Sequence, residues 1–284
     1  MLMTPFTRIR SAAGKIYGIA CFFLVALLFC AVSCTNLEGT LRDSAKEETM
    51  FQSATLQSLM TGNYDGYISV AELRSYGNIG LGTFERVDGE MIVLDGTVFQ
   101  AKADGSVAVA DDGVMVPFAV ATHFDDDIRF SVENVCCLDS LMNRMSDMVD
   151  ANGRNFIYAV RIDVNSCDYV KVRSVCPQQK PYKPLAEALK TDQREHILRN
   201  VGGTIVGVYF PAYMGQLNAA GWHCHFITAD RSRGGHLLDI AFASKTDVRL
   251  DLTPAFNLYM PEEKSFANAD LARDLTSEIE SVEK

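Results

Sequence analysis

The pattern of apolar and polar positions predicts a fold built mainly from β-strands. Residues 80–110 contain three Asp-Gly dipeptides, each between runs that are rich in β-branched and aromatic residues. Asp-Gly is a preferred sequence for a tight hairpin turn, so this region is predicted to be an antiparallel meander. Short helices are predicted before it, around residues 51–60 and 70–76, and strands after it, at 118–124 and 129–135.

Strand character continues through the second half of the chain. A helix is predicted at 137–151, followed by strands at 156–164 and 169–175. The segment CPQQKPYKPLAEALK, residues 176–190, carries three prolines, which indicates a linker or an extended crossover. Four further strands and a C-terminal helix are predicted after it, at 203–210, 222–228, 236–243, 247–252 and 271–282. We therefore place a domain boundary at the proline-rich segment, which gives domains at 51–178 and 179–284.

The N-terminus is predicted to direct export rather than to fold. Three basic residues precede an apolar run at residues 19–32, which is too short for a comfortable membrane span. The run ends in AVSC, a sequence that resembles the cleavage site of bacterial lipoproteins, with Cys34 as the residue that would carry the lipid. Residues 1–34 are thus predicted to be an export segment of a membrane-anchored lipoprotein or, alternatively, of a secreted protein. The polar residues 35–50 are predicted to be a flexible tether.

Composition narrows the possible functions. Hydrophobic residues make up 48% of the chain and charged residues 22%, which is typical of a globular protein. The formal charge of −10 argues against non-specific nucleic-acid binding, which needs a basic surface. A small-molecule substrate or a protein partner fits better, and an anionic substrate would need a local cation. Five cysteines follow Cys34 at irregular spacing, which predicts buried free thiols rather than a disulfide framework.

The strongest chemical signal is GWHCHFITADRSRGGH, residues 221–236. His223 and His225 lie two apart on a predicted strand, so both rings project from one face, while Cys224 points to the other. The polar, glycine-containing segment after them turns the chain back, and His236 opens the next strand. Three histidines with an open fourth position are typical of a catalytic zinc site. The alternative is a hydrogen-bonded surface pair and an unrelated third histidine.

A carboxylate could join this metal site or serve as acid and base. Glu90, at the start of a predicted strand, and Glu283, near the C-terminus, are the candidates, although most such residues are simply solvated. His123 and His196 have no ligand spacing, so structural or surface roles are expected for both. The sequence contains no phosphate-binding glycine loop, which argues against nucleotide-dependent chemistry.

A second possible metal motif is TGNYDGYISVAE, residues 61–72, which partly matches the calcium loop of an EF-hand. Thr61 stands where that loop requires a carboxylate. A helix cap explains the segment more simply, with Ser69 as N-cap and Glu72 as its partner in a capping box. We therefore expect a cap here rather than a calcium-binding module.

From about residue 52 to the end, the chain resembles the acetolactate decarboxylase family. The resemblance rests on YDG, AELRSYGNIGLGTFERVDGEMIVLDGTVFQ, PFAVATHF, YAVRIDV, KVRSVCPQQKPYKPL, GTIVGVYFPAYM and GWHCHFITADRSRGGHLLDI, in that order. Several long motifs in one order are far more specific than three histidines alone. The resemblance implies that His223, His225 and His236 are zinc ligands.

The resemblance also implies the other site residues. The family's active-site glutamates fall on Glu90 and, with a weaker match, on Glu283, because Glu278 and Glu280 lie close by. Its site arginine falls on Arg173, with Arg161 as the competing choice. Its GTF motif brings Thr83 near the pocket, as a residue close to the substrate.

The activity that the resemblance implies is decarboxylation of 2-acetolactate to acetoin and carbon dioxide. Zn²⁺ would stabilise the enediolate left when carbon dioxide departs, and a glutamate would protonate the carbon. The implied fold is α+β, with a mixed sheet in the N-terminal half, a smaller antiparallel sheet carrying the three-His site in the C-terminal half, and a few helices. The implied assembly is a homodimer. The alternative function is an exported lipoprotein that binds a metal or small ligand on the same scaffold without turnover.

Overall fold

Two β-sheets form the framework of the described part of the chain, which is residues 48–283 of this computed structural model. The predicted export segment 1–34, with Cys34, lies outside the described residues, as does the predicted tether up to residue 47. None of the helices in residues 48–283 combines the length and the hydrophobicity of a membrane-spanning segment.

The first sheet has seven strands and is mixed, as expected for the N-terminal half. Its strands are β1 (Thr49–Ser53), β3 (Ile79–Thr83), β4 (Glu90–Leu94), β5 (Thr97–Ala101), β6 (Val107–Val109), β8 (Phe118–Thr122) and β15 (Ala255–Tyr259). Their order is β15-β1-β8-β3-β4-β5-β6, with β1 and β15 parallel and all other neighbours antiparallel. The predicted meander is confirmed in β3 to β6. Asp95 and Gly96 both have positive φ in the two-residue turn between β4 and β5, which is the conformation that Asp-Gly favours.

The second sheet has six antiparallel strands and carries the three histidines, which confirms the fold expected from the sequence. Its strands are β9 (Ile128–Val132), β10 (Ile157–Val175), β11 (Gln193–Phe210), β12 (Gly221–Thr228), β13 (Gly234–Ala241) and β14 (Thr246–Thr253). The order is β11-β12-β13-β10-β14-β9, and β10 also pairs with β11. A further two-stranded sheet joins β2 (Ile68–Ser69) to β7 (Met115–Val116).

The helices are short and lie outside the sheets. They are α1 (Leu56–Met60), α2 (Val70–Leu73), α3 (Leu138–Asn152), α4 (Leu185–Asp192), α5 (Lys264–Ala267) and α6 (Thr276–Glu283), with 3₁₀ turns at Glu85–Val87 and Ala212–Met214. In α3, Leu138, Leu141, Met145 and Val149 recur three or four residues apart and are all buried. This apolar stripe packs against the six-stranded sheet.

The segment at residues 61–72 forms a helix cap, as predicted. Ser69 Oγ accepts a hydrogen bond from the Glu72 amide at 3.2 Å, at the start of α2. The carboxylate of Asp65, an expected calcium ligand of an EF-hand loop, instead accepts hydrogen bonds from Lys180 at 2.7 Å and Tyr182 at 3.0 Å. The geometry thus supports the cap and gives no calcium loop at this place.

Several elements differ from the predicted ones. Strand β10 is continuous where two strands were predicted, because the polar residues between them form an irregularity between Val164 and Cys167 instead of a break. Helix α4 occupies the end of the predicted linker, since the prolines all precede it and its own residues are good helix formers. Strands β1 and β15 were not predicted as strands. The prediction of buried thiols is confirmed for Cys167 and Cys224, which lie in strands. It is wrong for Cys136, which lies in a loop and is exposed, while Cys137 and Cys176 are partly buried.

The two halves of the sequence are interleaved in the two sheets. Strand β15, near the C-terminus, completes the first sheet beside β1, and β9 and β10 from the first half belong to the second sheet. The described residues 48–283 belong to one compact unit. The proposed division at residue 178 stays a prediction; it falls between β10 and α4, and β10 pairs with β11 across it.

The face of the six-stranded sheet that meets the first sheet holds the histidines. Alternation along β12 places Cys224 and Phe226 in the core beneath α3, whereas Ile227 lies in a second apolar cluster with Ile92 of β4 and Leu81 of β3. His223 and His225 share the side of Ile227 because strand side chains alternate. The histidines therefore lie in the layer between the two sheets, close to β4.

Candidate active site

Three imidazole rings converge at the boundary of β12 and β13. His223 Nε2 lies 3.1 Å from His225 Nε2 and 3.1 Å from His236 Nδ1. Three nitrogens bound to one tetrahedral zinc at about 2.0–2.1 Å would lie about 3.3 Å apart, so this spacing fits a single metal ion. All three rings are buried. These residues are the one group of three histidines in residues 48–283 that could hold a metal.

Two glycines let β13 bring His236 to its partners. His225 and His236 are directly paired across β12 and β13, and Arg173 of β10 is paired with His236 on the other side. A Cβ on Gly235, whose φ is 149°, would lie 2.5 Å from the Arg173 carbonyl oxygen. A Cβ on Gly234 would lie 2.6 Å from the backbone oxygen of Phe226. Glycine is therefore required at both positions for the strands to approach this closely.

The protein environment keeps His223 and His225 neutral and orients the ring of His225. His225 Nδ1 lies 2.7 Å from the Met91 carbonyl oxygen. Only a protonated Nδ1 can donate to a carbonyl, so the Nε2 lone pair of His225 faces the other two rings. Burial lowers the pKa of His223 to about 3, with the nearby Arg173 charge adding to the effect. Burial likewise holds the pKa of His225 well below its usual range. Neutral imidazoles are the form that binds a metal.

Glu90 stands between the imidazoles and Arg173. Its Oε2 lies 3.6 Å from His225 Nε2, and its Oε1 lies 3.5 Å from Arg173 Nη1. Glu90 begins β4, and Thr83 is its partner on β3. The Thr83 hydroxyl donates a hydrogen bond to the Gly89 carbonyl at 2.7 Å, which fixes the turn that leads into Glu90. The buried carboxylate is thus within reach of both a metal at the histidines and a cation.

A hydrogen bond to the C-terminal helix holds Arg173 at this site. Its Nη2 donates a hydrogen bond to the carbonyl oxygen of Val282, in helix α6, at 2.7 Å. The side chain is buried, so its charge acts at short range. Arg161, the competing arginine, lies elsewhere on β10 and forms ion pairs with Asp95 and Asp163. The structure therefore brings Arg173 to the histidines and leaves Arg161 at the surface.

The last turn of the C-terminal helix α6 lies at the site. Val282 lines the same pocket as Glu90 and His223. Glu283 is the next residue, but its side chain lies outside the described residues, so its predicted role stays a prediction. Glu278 is partly buried and forms an ion pair with Arg273 at 3.0 Å.

The two remaining histidines are not part of the site. His196 lies near the start of β11, and its Nε2 is 3.0 Å from the carbonyl oxygen of Ala103. His123 follows β8 and belongs to no group of metal-ligand type within residues 48–283.

An apolar wall faces the polar groups. The pocket that holds Thr83, Glu90, Arg173, His223 and His236 is closed by side chains from three helices and two strands, including Leu56, Leu59, Val175, Leu185 and Phe118. A few convergent polar groups in an otherwise apolar pocket are typical of small-molecule sites. Arg173 and Val282 also line a larger adjoining pocket that carries Lys171 and Lys190.

Some participants could not be found from the sequence. The carbonyl oxygens of Met91 and Val282 are backbone groups, and no residue type signals them. The apolar residues of α1 and α4 have the composition of ordinary core positions. The paired glycines before His236 were a usable signal, because they mark a close approach between strands.

Comparison with known proteins identifies the family to which the chain belongs. The sequence profile of the family described as Alpha-acetolactate decarboxylase matches residues 50–273. The alpha-acetolactate decarboxylase of Methanosarcina mazei is 39% identical over 254 residues, which cover 89% of this chain and 85% of that protein. The enzyme of Brevibacillus brevis is 34% identical over 84% of this chain and 82% of its own length. The crystal structure of the Bacillus subtilis strain 168 enzyme superposes with a TM-score of 0.78 at 35% identity, covering 83% of this chain and 99% of that one.

The residues that the profile matches include strands of both sheets and all three histidines. The chain therefore belongs to the alpha-acetolactate decarboxylase family of enzymes.

Proposed function

We propose that this protein converts 2-acetolactate to acetoin and carbon dioxide at the three-His site, with Zn²⁺ as the metal. The observation that carries the proposal is the convergence of three imidazole nitrogens, Glu90 and Arg173 in one pocket of a chain that belongs to this family. This set supplies a metal site, a carboxyl group and a fixed cation, which are the groups that the reaction needs.

The donor set suits zinc. Three imidazole ligands leave a fourth position open, which is the arrangement of catalytic rather than structural zinc sites. The low pKa of His223 and His225 means that no proton has to be displaced from them near neutral pH. When bound, the ion would supply a Lewis acid for the negative charge that develops on substrate oxygens as carbon dioxide leaves.

Arg173 is proposed to bind the substrate carboxylate or the developing oxyanion. Its guanidinium is the buried cation of the pocket, and its planar fork matches a carboxylate. The hydrogen bond from Nη2 to Val282 fixes one side of the fork, which leaves Nη1 directed toward Glu90 and the pocket. A net negative protein thereby offers its anionic substrate a local positive charge.

Glu90 is proposed to deliver the proton to the carbon that carbon dioxide leaves. Its carboxyl group lies at the rim of the histidine cluster and on one side of the pocket, so the proton would arrive from one face and give a chiral product. Glu283 is the second candidate for this transfer or for a contact with the metal, because the preceding residue, Val282, already touches Arg173.

The apolar wall is proposed to favour the loss of carbon dioxide. Leu56, Phe118 and Leu185 would keep water from the substrate once it is bound. A site with little water strengthens the electrostatic contacts of Arg173 and the metal and limits premature protonation elsewhere.

Export and assembly are also part of the proposal. Residues 1–34 would direct the protein out of the cytoplasm, and Cys34 would carry a lipid; metabolic lipid labelling that disappears in Cys34→Ala is the expected result. The protein is proposed to act as a homodimer, which sedimentation of the purified protein would test.

The direct test is product formation from racemic 2-acetolactate by the purified, zinc-loaded full chain. We expect acetoin and carbon dioxide in equal amounts. If the folded, zinc-loaded protein releases neither product, the alternative of a metal- or ligand-binding lipoprotein without turnover would replace the enzyme.

A further inference from the structure

A second group of ligand-type side chains lies away from the histidines. Asp125 and Asp127, in the loop between β8 and β9, meet Asp251 of β14. One carboxylate oxygen from each lies within 4.8 Å of those of the other two. Asp125 and Asp127 are exposed, whereas Asp251 is buried. The cluster is therefore exposed to solvent at Asp125 and Asp127 and buried at Asp251.

Asp251 is the unusual member of this cluster. It is 1% exposed and lies within β14, opposite Ala159 of β10. Neither of its carboxylate oxygens accepts a hydrogen bond of ordinary length and angle from a donor within residues 48–283. An ionised carboxylate in this situation is strongly destabilised, so it must take up either a proton or a cation.

The charges around Asp251 add to this cost. Burial raises the pKa of Asp251 to about 8, and the negative charges of Asp125, Asp127 and Glu48 contribute to the rise, while the Asp125 amide offsets part of it. Arg249, two residues earlier on the same strand, contacts Asp126 and Asp163 instead. The cluster thus concentrates negative charge around a buried carboxyl group.

Backbone hydrogen bonds hold Asp127 beside Asp251. The Asp127 amide donates to the Leu250 carbonyl at 3.1 Å, and Asp127 Oδ2 accepts from the Leu252 amide at 2.8 Å. These bonds continue the β9–β14 ladder by one residue and bracket Asp251. The positions of two of the three carboxylates are therefore set by the sheet itself.

We propose that Asp125, Asp127 and Asp251 form a binding site for one Ca²⁺ ion, separate from the three-His site. Ca²⁺ binds oxygen ligands at about 2.3–2.6 Å, so ligand oxygens up to about 5 Å apart can share one ion. Water can complete the coordination on the side where Asp125 and Asp127 are exposed. Mg²⁺ is a poorer fit because it demands near-ideal octahedral geometry, and zinc prefers nitrogen and sulfur ligands.

The test is calorimetric titration of Ca²⁺ into the full chain, with zinc loaded first so that the histidines are occupied. We expect saturable binding of one ion per chain. Because Asp251 would be protonated before binding, titrations at pH 7 in buffers of different ionisation enthalpy should reveal the release of close to one proton per ion.

Matched variants assign the site. Asp251→Asn and Asp125→Asn should each weaken Ca²⁺ binding at least tenfold, whereas Asp147→Asn, an exposed residue of α3, should leave it unchanged. Asp125 is exposed, so its variant keeps the test valid if Asp251→Asn does not fold. The proposal is overturned if the wild-type chain shows no saturable Ca²⁺ binding, if both site variants bind as tightly as wild type, or if Mg²⁺ binds equally well.

Discussion

Arg173 and His236 are directly paired residues of the neighbouring antiparallel strands β10 and β13. This pairing places the proposed substrate-binding cation beside a proposed metal ligand, although 62 residues separate them in the sequence. On the other side of His236, β12 supplies His225 as its pair. Three adjacent strands of one sheet therefore fix the relative positions of the cation and two imidazoles, and the rigid sheet preorganises the site.

Arg173→Lys should lower activity more than it lowers zinc content. Lysine keeps the positive charge but loses the planar fork that contacts Val282 and faces Glu90. We expect kcat/KM for acetolactate to fall by about 10²–10³, the range seen when one fixed donor to a developing oxyanion is removed. Arg161→Lys is the matched control because Arg161 pairs with Asp95 and Asp163 outside the pocket. Equal losses in the two variants would contradict the role of Arg173.

Glu90→Gln should uncouple metal binding from turnover. The amide has the same shape but cannot donate a proton as an acid, so kcat should fall by about 10²–10⁴. The three histidines should still bind zinc, which metal analysis of the purified variant would measure. A variant with zinc bound and full kcat would show that Glu90 is not the proton donor.

Packing of α3 on the six-stranded sheet should contribute strongly to stability. Leu141 is fully buried in that interface, so Leu141→Ala should lower the free energy of unfolding by about 2–5 kcal/mol. Ile197→Ala, at a position that is 59% exposed, should change it by less than about 0.5 kcal/mol. Urea unfolding monitored by circular dichroism gives both values. Similar losses in the two variants would contradict the assignment of the core.

Asp251 should make stability depend on pH when divalent cations are removed. Its pKa is raised to about 8 in the folded protein, so between the ordinary aspartate pKa and pH 8 the folded state holds a proton that the unfolded state has lost. Its contribution to the free energy of unfolding therefore falls as pH rises through this window. Asp251→Asn removes this contribution. The Tm of the variant minus the Tm of the wild type should therefore increase from pH 5 to pH 8. A difference that is constant with pH would contradict the raised pKa.

Much of the fold was predictable because turn residues and apolar periods are local features of the sequence. The meander between β3 and β6 followed from three Asp-Gly turns, and α3 followed from its apolar period. Strands β1 and β15 were missed because they pair with each other from opposite ends of the described chain, and no local pattern records such a partner. The break expected within β10 is an irregularity, which polar residues alone cannot distinguish from a loop.

The candidate site was predictable to the extent that side chains define it. The His-x-His spacing and the glycines before His236 gave the cluster, and family resemblance pointed to Glu90 and Arg173. The backbone contacts could not be predicted: the Met91 carbonyl that orients His225 and the Val282 carbonyl that holds Arg173 depend on tertiary packing. Cys136 was assigned to the interior wrongly, since residue type alone does not reveal that it lies before a helix in a loop.

We propose above that the three histidines bind the zinc on which decarboxylation depends. The most direct measurement is acetoin production from racemic acetolactate by the full chain after chelation and after zinc is restored, beside His223→Ala and the control His123→Ala. We expect activity that is lost on chelation, regained with zinc in the wild type and in His123→Ala, and absent from His223→Ala at any zinc concentration. Activity that survives chelation, or that His223→Ala retains, would contradict it.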